Sequence, residues 1–218
     1  TQDRMPPEGY DEVRYDLMRA RWNPEKKAFE EPETVLSAEE TGGSIFQPRV
    51  SPDGRFVLFC LCDYGCFPIY RPSSDLCLLE IETGEWRRLG INSPWSESWH
   101  SWSSTGRWVA FSTRRDDGLF THTYFSHVDE KGTFSKPFRL PQKAPRFYPY
   151  HLLTFTVPEF SLGPVPLPRE EIARAGASAD RVELSQPSLA MTKGKAPVPG
   201  EPSHGGEGTG PWRKATGS

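Results

Sequence analysis

The chain has 218 residues, a formal net charge of −3 and a sequence pI near 6.0, and no run of Lys or Arg marks a phosphate-tracking surface, so nucleic acid is excluded as an expected partner. The longest apolar run, Phe56 to Cys62, falls far short of the ~20 residues a membrane-spanning helix needs. An apolar fraction of 35%, with 22 Pro and 19 Gly gathered toward the end, predicts a folded first two thirds followed by a loose tail.

The first residue is Thr1, and the opening residues show no charged and then apolar leader pattern, so the start of the protein is expected upstream. Tyr15 to Trp22, the Asn23-Pro24 turn region and Pro32 to Leu36 read as the second half of a repeat whose first half would lie N-terminal to Thr1. The next elements show the repeat in full. Ser51-Pro52-Asp53-Gly54-Arg55-Phe56-Val57-Leu58-Phe59 aligns with Ser103-Ser104-Thr105-Gly106-Arg107-Trp108-Val109-Ala110-Phe111 at a separation of 52 positions. Pro52, Asp53 and Gly54, and Gly106 in the second copy, mark a tight turn between antiparallel strands: Pro presets φ, Asp bonds its own backbone, and Gly accepts a positive φ. Phe56 to Leu61 and Trp108 to Ser112 are apolar on both faces and therefore need cover on both sides.

Asp75 to Ile81 follows as a strand, Glu82-Thr83-Gly84-Glu85 as a turn, and Trp86 to Leu89 as the start of an outer strand. The order recurs downstream in Thr123 to Val128, the Asp129-Glu130-Lys131-Gly132 turn and Lys136 to Leu140. No segment before residue 165 has a helical period. The expected fold class is all-β: a partial β-propeller of about two and a half four-stranded antiparallel blades over residues 1–141.

Gln47 to Arg55, the later Asp75-Leu76 and the Thr83-Gly84-Glu85 turn resemble the WD40-like repeat of the TolB-type β-propeller family, over roughly residues 13 to 141. The second copy departs from the motif, with Ser104-Thr105-Gly106 in place of Pro-Asp-Gly. The resemblance implies a bacterial periplasmic or cell-envelope setting. It does not imply a function, because one fold serves many.

Residues 142–168 form an aromatic and Pro-rich segment expected to lie extended as a strap, or as a docking segment for another domain. In 169–218, Pro168 to Ala175 could start a short helix with acidic residues in its first turn, and from Gly176 onward the composition predicts disorder.

Cys60, Cys62, Cys66 and Cys77 lack the spacing of a zinc site, and no metal or other cofactor is expected. They read as buried apolar thiols or, in an oxidising compartment, as containing one disulfide, with Cys62 or Cys60 opposite Cys77 across the hairpin and Cys62–Cys77 the expected pair. No His pair shows ligand spacing, and His100, beside three tryptophans, reads either as a structural histidine near the axis or as a ligand contact. No Gly-x-Ser-x-Gly or other catalytic motif is present, so the chain is expected not to be an enzyme.

In a propeller the blade links and the loops between second and third strands share one end. That end would gather Asp63, Tyr64, Arg71, Glu97, Trp99, His100, Arg114, Arg115, Asp116 and Asp117 as a contact face for a protein or peptide. The leading expectation is therefore a non-catalytic binding module. The alternatives are the gating propeller of a hydrolase whose catalytic domain lies outside this chain, and a purely architectural module.

Overall fold

Seven consecutive β-favouring residues without a polar face, Phe-Val-Leu-Phe-Cys-Leu-Cys, can be stable only as a strand covered on both sides, and all seven are buried. The computed structural model describes residues 9–65, 67–144 and 146–177, and the chain divides into two units, Thr1–Pro166 and Leu167–Ser218. In chain order the first unit holds β1 (Leu17–Arg19), β2 (Trp22–Asn23), β3 (Ala28–Phe29), β4 (Glu33–Leu36), a one-turn helix α1 (Ala38–Thr41), β5 (Ser44–Val50) and β6 (Phe56–Cys62). A 3-10 turn (Pro68–Tyr70) follows, then β7 (Asp75–Glu80), β8 (Trp86–Arg88), β9 (Glu97–Trp102), β10 (Trp108–Thr113), β11 (His122–His127), β12 (Phe138–Arg139) and a one-turn helix α2 (Phe147–Tyr150).

Two four-stranded antiparallel sheets run in the orders β5-β6-β7-β8 and β9-β10-β11-β12, so neighbours in sequence are neighbours in space. Ahead of them β1 pairs with β4 and β2 with β3, a long hairpin equivalent to half a sheet. Each four-stranded meander is one blade. Leu58, Cys60, Leu76 and Leu78 of the first blade pack against Val109, Phe111 and Tyr124 of the second. The opposite face of the first blade, with Phe59, Leu61, Cys77 and Leu79, packs on Leu17 and Leu36 of the half blade. Half blade, blade and blade thus stack through two apolar layers, the arrangement of a partial β-propeller.

The two repeated turns share a backbone and differ in chemistry. Gly54 and Gly106 both sit at positive φ, 74° and 68°, and their N–H groups donate to the Ser51 and Ser103 carbonyls at 2.9 Å. In the first turn Ser51 Oγ donates to the Asp53 carboxylate at 2.5 Å and accepts from the Phe56 N–H. In the second, Thr105 replaces the carboxylate, and Ser103 Oγ contacts Thr105 Oγ1 at 3.1 Å and accepts from the Trp108 N–H. A hydroxyl pair therefore holds the turn without Asp.

Register corrects the expected disulfide. Cys77 lies directly opposite Phe59, and Cys60 opposite Leu76. Because side chains alternate faces with period two, Cys60 and Cys62 point to one side of the sheet and Cys77 to the other. Cys77 is a buried free thiol, and burial pushes the thiols of Cys60 and Cys77 up to about 12. Cys66 lies outside the described residues.

Two helical turns also depart from expectation. Ser37 and Glu40 form a capping box that starts α1: Ser37 Oγ accepts from the Glu40 N–H, and the Glu40 carboxylate accepts from the Ser37 N–H. Phe147–Tyr150 winds one turn before the chain becomes extended from His151. In the second unit the helix α3 (Arg169–Ala177) carries Glu170 and Glu171 in its first turn. It includes Gly176 and Ala177, which composition assigns to the loose tail; the rest of that expected tail, 178–218, lies outside the described residues.

Candidate partner-binding surface

Three connections meet at one end of the blades: 63–74 between β6 and β7, 89–96 between β8 and β9, and 114–121 between β10 and β11. They are tied to one another by buried hydroxyls and backbone. Ser96 Oγ donates to the Ile69 carbonyl at 2.7 Å, Ser74 Oγ to the Glu97 carbonyl at 2.7 Å, and the Arg114 N–H to the Ser96 carbonyl at 3.2 Å. Loops fixed in this way can hold side chains outward at little further entropic cost on binding.

On that frame stands a set of aromatic and cationic side chains. Phe67 is 68% exposed and Tyr70 64%, so most of each side chain is available to a partner, and Trp95 adds a partly exposed indole at 42%. Phe67 and Tyr70 meet edge to face at 6.5 Å, and the Arg114 guanidinium lies over the Tyr70 ring at 4.8 Å. Arg71 stacks on Tyr64 at 3.8 Å, and Tyr10 adds a tilted contact to Tyr64 at 5.9 Å. Neither Arg71 nor Arg114 has an acidic partner among the described residues, and Arg114 Nε is buried with no acceptor. Phe67 itself is held at φ 55°, a left-handed backbone that a bulky residue adopts only when its surroundings impose it.

The residues expected at this end divide into two groups. Asp63, Tyr64, Arg71, Arg114 and Asp117 lie on the connecting loops, where Asp117 Oδ1 accepts the N–H groups of Leu119 and Phe120 and so shapes its own loop. Glu97, Arg115, Asp116 and His100 are instead engaged inside the fold, and for Glu97 and His100 the expected contact role is corrected by their burial. The Glu97 carboxylate accepts from Ser93 Oγ at 2.6 Å, Thr113 Oγ1 at 2.8 Å and the Arg115 guanidinium at 3.0 Å. Burial still raises its pKa above the ordinary carboxylate range.

Asp116 accepts from Tyr124 Oη at 2.6 Å, bonds His122 Nδ1 at 2.7 Å and pairs with Arg139 at 2.9 Å. Burial opposes ionisation there, but these partners hold the carboxyl below its usual value. His100 Nε2 donates to the Leu58 carbonyl at 2.9 Å. Trp99, half-buried at φ 44°, donates its N–H to Gln47 Oε1 at 3.0 Å.

Phe67, Tyr70 and Trp95 are absent from the sequence-derived set. The signal for Phe67 and Tyr70 was the Phe67-Pro68 step: Pro cannot continue a ladder, so an aromatic beside it leaves the sheet. Among the described residues no group of three or more His, Cys, Asp or Glu is placed to hold a metal ion, and no helix is long and apolar enough to cross a membrane.

No family model and no curated protein matches the chain. Among solved structures, a GH74 enzyme of Niastella koreensis is similar at 15% identity and a TM-score of 0.36, covering 48% of this chain and 16% of the enzyme's. A likeness of that depth carries no argument about this chain's activity.

Proposed function

We propose that this chain is a non-catalytic β-propeller module of the TolB type, acting in the bacterial cell envelope, that binds a protein or peptide through the loop end bearing Phe67, Tyr70, Trp95, Arg71 and Arg114. The observation that carries the reading is Phe67: a large apolar ring held outward on a left-handed backbone, 68% exposed, beside an equally exposed tyrosine. Exposed aromatics flanked by arginines that have no acidic partner among the described residues suit a partner that presents a carboxylate next to an apolar side chain. Rigid loops beneath them favour binding without reordering. The TolB assignment and the envelope setting rest on the resemblance carried by Gln47 to Arg55, Asp75-Leu76 and the Thr83-Gly84-Glu85 turn alone.

The test is a photo-crosslinking residue placed at Phe67 or Tyr70 of the full-length protein in its native cell, with Glu82, in the turn after β7, as the control position. A discrete adduct from the loop end, absent from Glu82 and lost in an Arg71→Glu, Arg114→Glu double variant, is expected. No adduct at either loop position, or the same products from Glu82, would refute the proposal.

A further inference from the structure

The first and second blades part at their outer rim, where their last strands are short: β8 has three residues and β12 two. The chain leaving β8 and the chain entering β12 line a cleft of about 530 Å³. That volume falls within the ~300–1,000 Å³ of small-molecule sites.

Both walls are fixed without a ligand. Arg87 of β8 donates to the Gly132 carbonyl at 2.8 Å, and Arg115 of the second blade donates to the Ile91 carbonyl at 2.8 Å, so two guanidinium groups tie one blade to the other along the cleft. The 129–133 turn closes on the first blade because Gly132 lacks a Cβ; one placed there would lie 2.9 Å from Phe56 Cζ. Asp129 Oδ1 shapes the same turn by accepting the N–H groups of Lys131 and Thr133 at 2.9 and 2.7 Å. A site set in advance spends little ordering entropy on binding.

The lining combines apolar surface with one sign of charge. Leu89 and Ile91 are buried in the core between the blades, and Phe134 packs against that core. Arg87, Arg115 and Lys136 also line the cleft, with no Asp or Glu among the described lining residues. Arg115 is taken up by the Glu97 carboxylate at 3.0 Å. Arg87 and Lys136 have no acidic partner among the described residues. A bare inorganic anion would leave the apolar lining unused, and a neutral or cationic molecule would leave two cations uncompensated.

We infer that this cleft binds a small organic anion, a carboxylate or sulfonate carried on an aromatic or alkyl body. The body lies against Leu89, Ile91 and Phe134, and the anionic group pairs with Arg87 and Lys136. The site shares no side chain with Phe67, Tyr70, Trp95, Arg71 and Arg114, so it stands or falls independently of the loop-end contact.

Fluorescence titration of the full-length protein with anilinonaphthalene sulfonate tests this, with phenylnaphthylamine as the uncharged counterpart of the same shape. Gly90 allows the cleft to be filled without altering a cation: it lines the cleft outside the left-handed region, and a Cβ there meets nothing within 4 Å. Saturable binding of the sulfonate about tenfold tighter than of the amine is expected, weakened about tenfold by Lys136→Glu and abolished by Gly90→Phe. Lys136 is exposed, so its variant should keep the urea midpoint of the native protein, and a Phe67→Ala, Tyr70→Ala double variant should bind the sulfonate as the native protein does. No binding, equal affinity for the two probes, an affinity unmoved by both cleft variants, or a loss confined to the loop-end variant would overturn the inference.

Discussion

Acid should weaken this fold through His100. The imidazole is fully enclosed in β9, and because Nε2 faces the Leu58 carbonyl at 2.9 Å, the proton of the neutral ring sits on Nε2. Nδ1 is then the acceptor that faces Cys60 Sγ at 3.6 Å. Burial, opposed by the bond to Leu58 and aided by the nearby charge of Arg49, lowers the pKa from 6.5 to about 4. The sign follows from which state binds the proton. Between the two values the unfolded chain is protonated and the folded chain is not, so the stabilisation is complete above the unfolded value and is lost as pH falls toward about 4. At ~1.4 kcal/mol per unit, the loss is on the order of 3 kcal/mol, a large share of a typical domain's ~5–15 kcal/mol. Glu97 acts oppositely: its raised pKa means that falling pH adds stability through its folded value down to 4.5, so a raw acid profile mixes the two. Urea unfolding of the native chain and of His100→Gln at about pH 7, about pH 5.5 and about pH 4 separates them. The native chain should lose roughly 3 kcal/mol more than the variant across that range. Parallel losses in the two proteins would refute the argument.

Two further substitutions probe the packing. Arg115→Ala leaves the Glu97 carboxylate, whose side chain is 0% exposed, without its cation; a loss of about 3 kcal/mol in urea unfolding is expected, and much less in the Glu97→Gln, Arg115→Ala double variant. Gly132→Ala would put a Cβ 2.9 Å from Phe56 Cζ and 3.1 Å from Leu78 Cδ2 at a backbone φ of 72°, so thermal unfolding should reveal a cost of roughly 1–3 kcal/mol.

The blades were legible in the sequence because their signals are local. Pro52-Asp53-Gly54 dictates a turn, and the two-sided apolar run from Phe56 dictates a covered strand. Register was not legible, because a period-two pattern shows which residues share a face within one strand and not which residue stands opposite. Cys77 stands opposite Phe59, one position from Cys60 and three from Cys62, and an odd offset puts it on the other face from both. The contact face was legible only as an address. Chain order put Glu97 and Arg115 at the loop end, but charge alone cannot say whether a carboxylate meets solvent or a buried guanidinium 3.0 Å away. The capping box at Ser37 and Glu40 was present in the sequence as a short motif, hidden by the absence of a helical period around a single turn.

The division between exposed and engaged polar groups follows from how a stacked sheet array is built. Faces between blades must be dry, so a carboxylate that a connecting loop sends inward has to be neutralised there, as Glu97 is by Arg115 and Asp116 by Arg139. These internal pairs anchor the 114–121 loop, and the hydroxyls of Ser74 and Ser96 anchor the 63–74 loop. With both loops fixed, Phe67 and Tyr70 cannot fold back onto the sheet, and their exposure is a consequence of the buried network beneath them. Of the residues first expected to touch a partner, Glu97, Arg115 and Asp116 thus act one layer down, by holding in place the side chains that can.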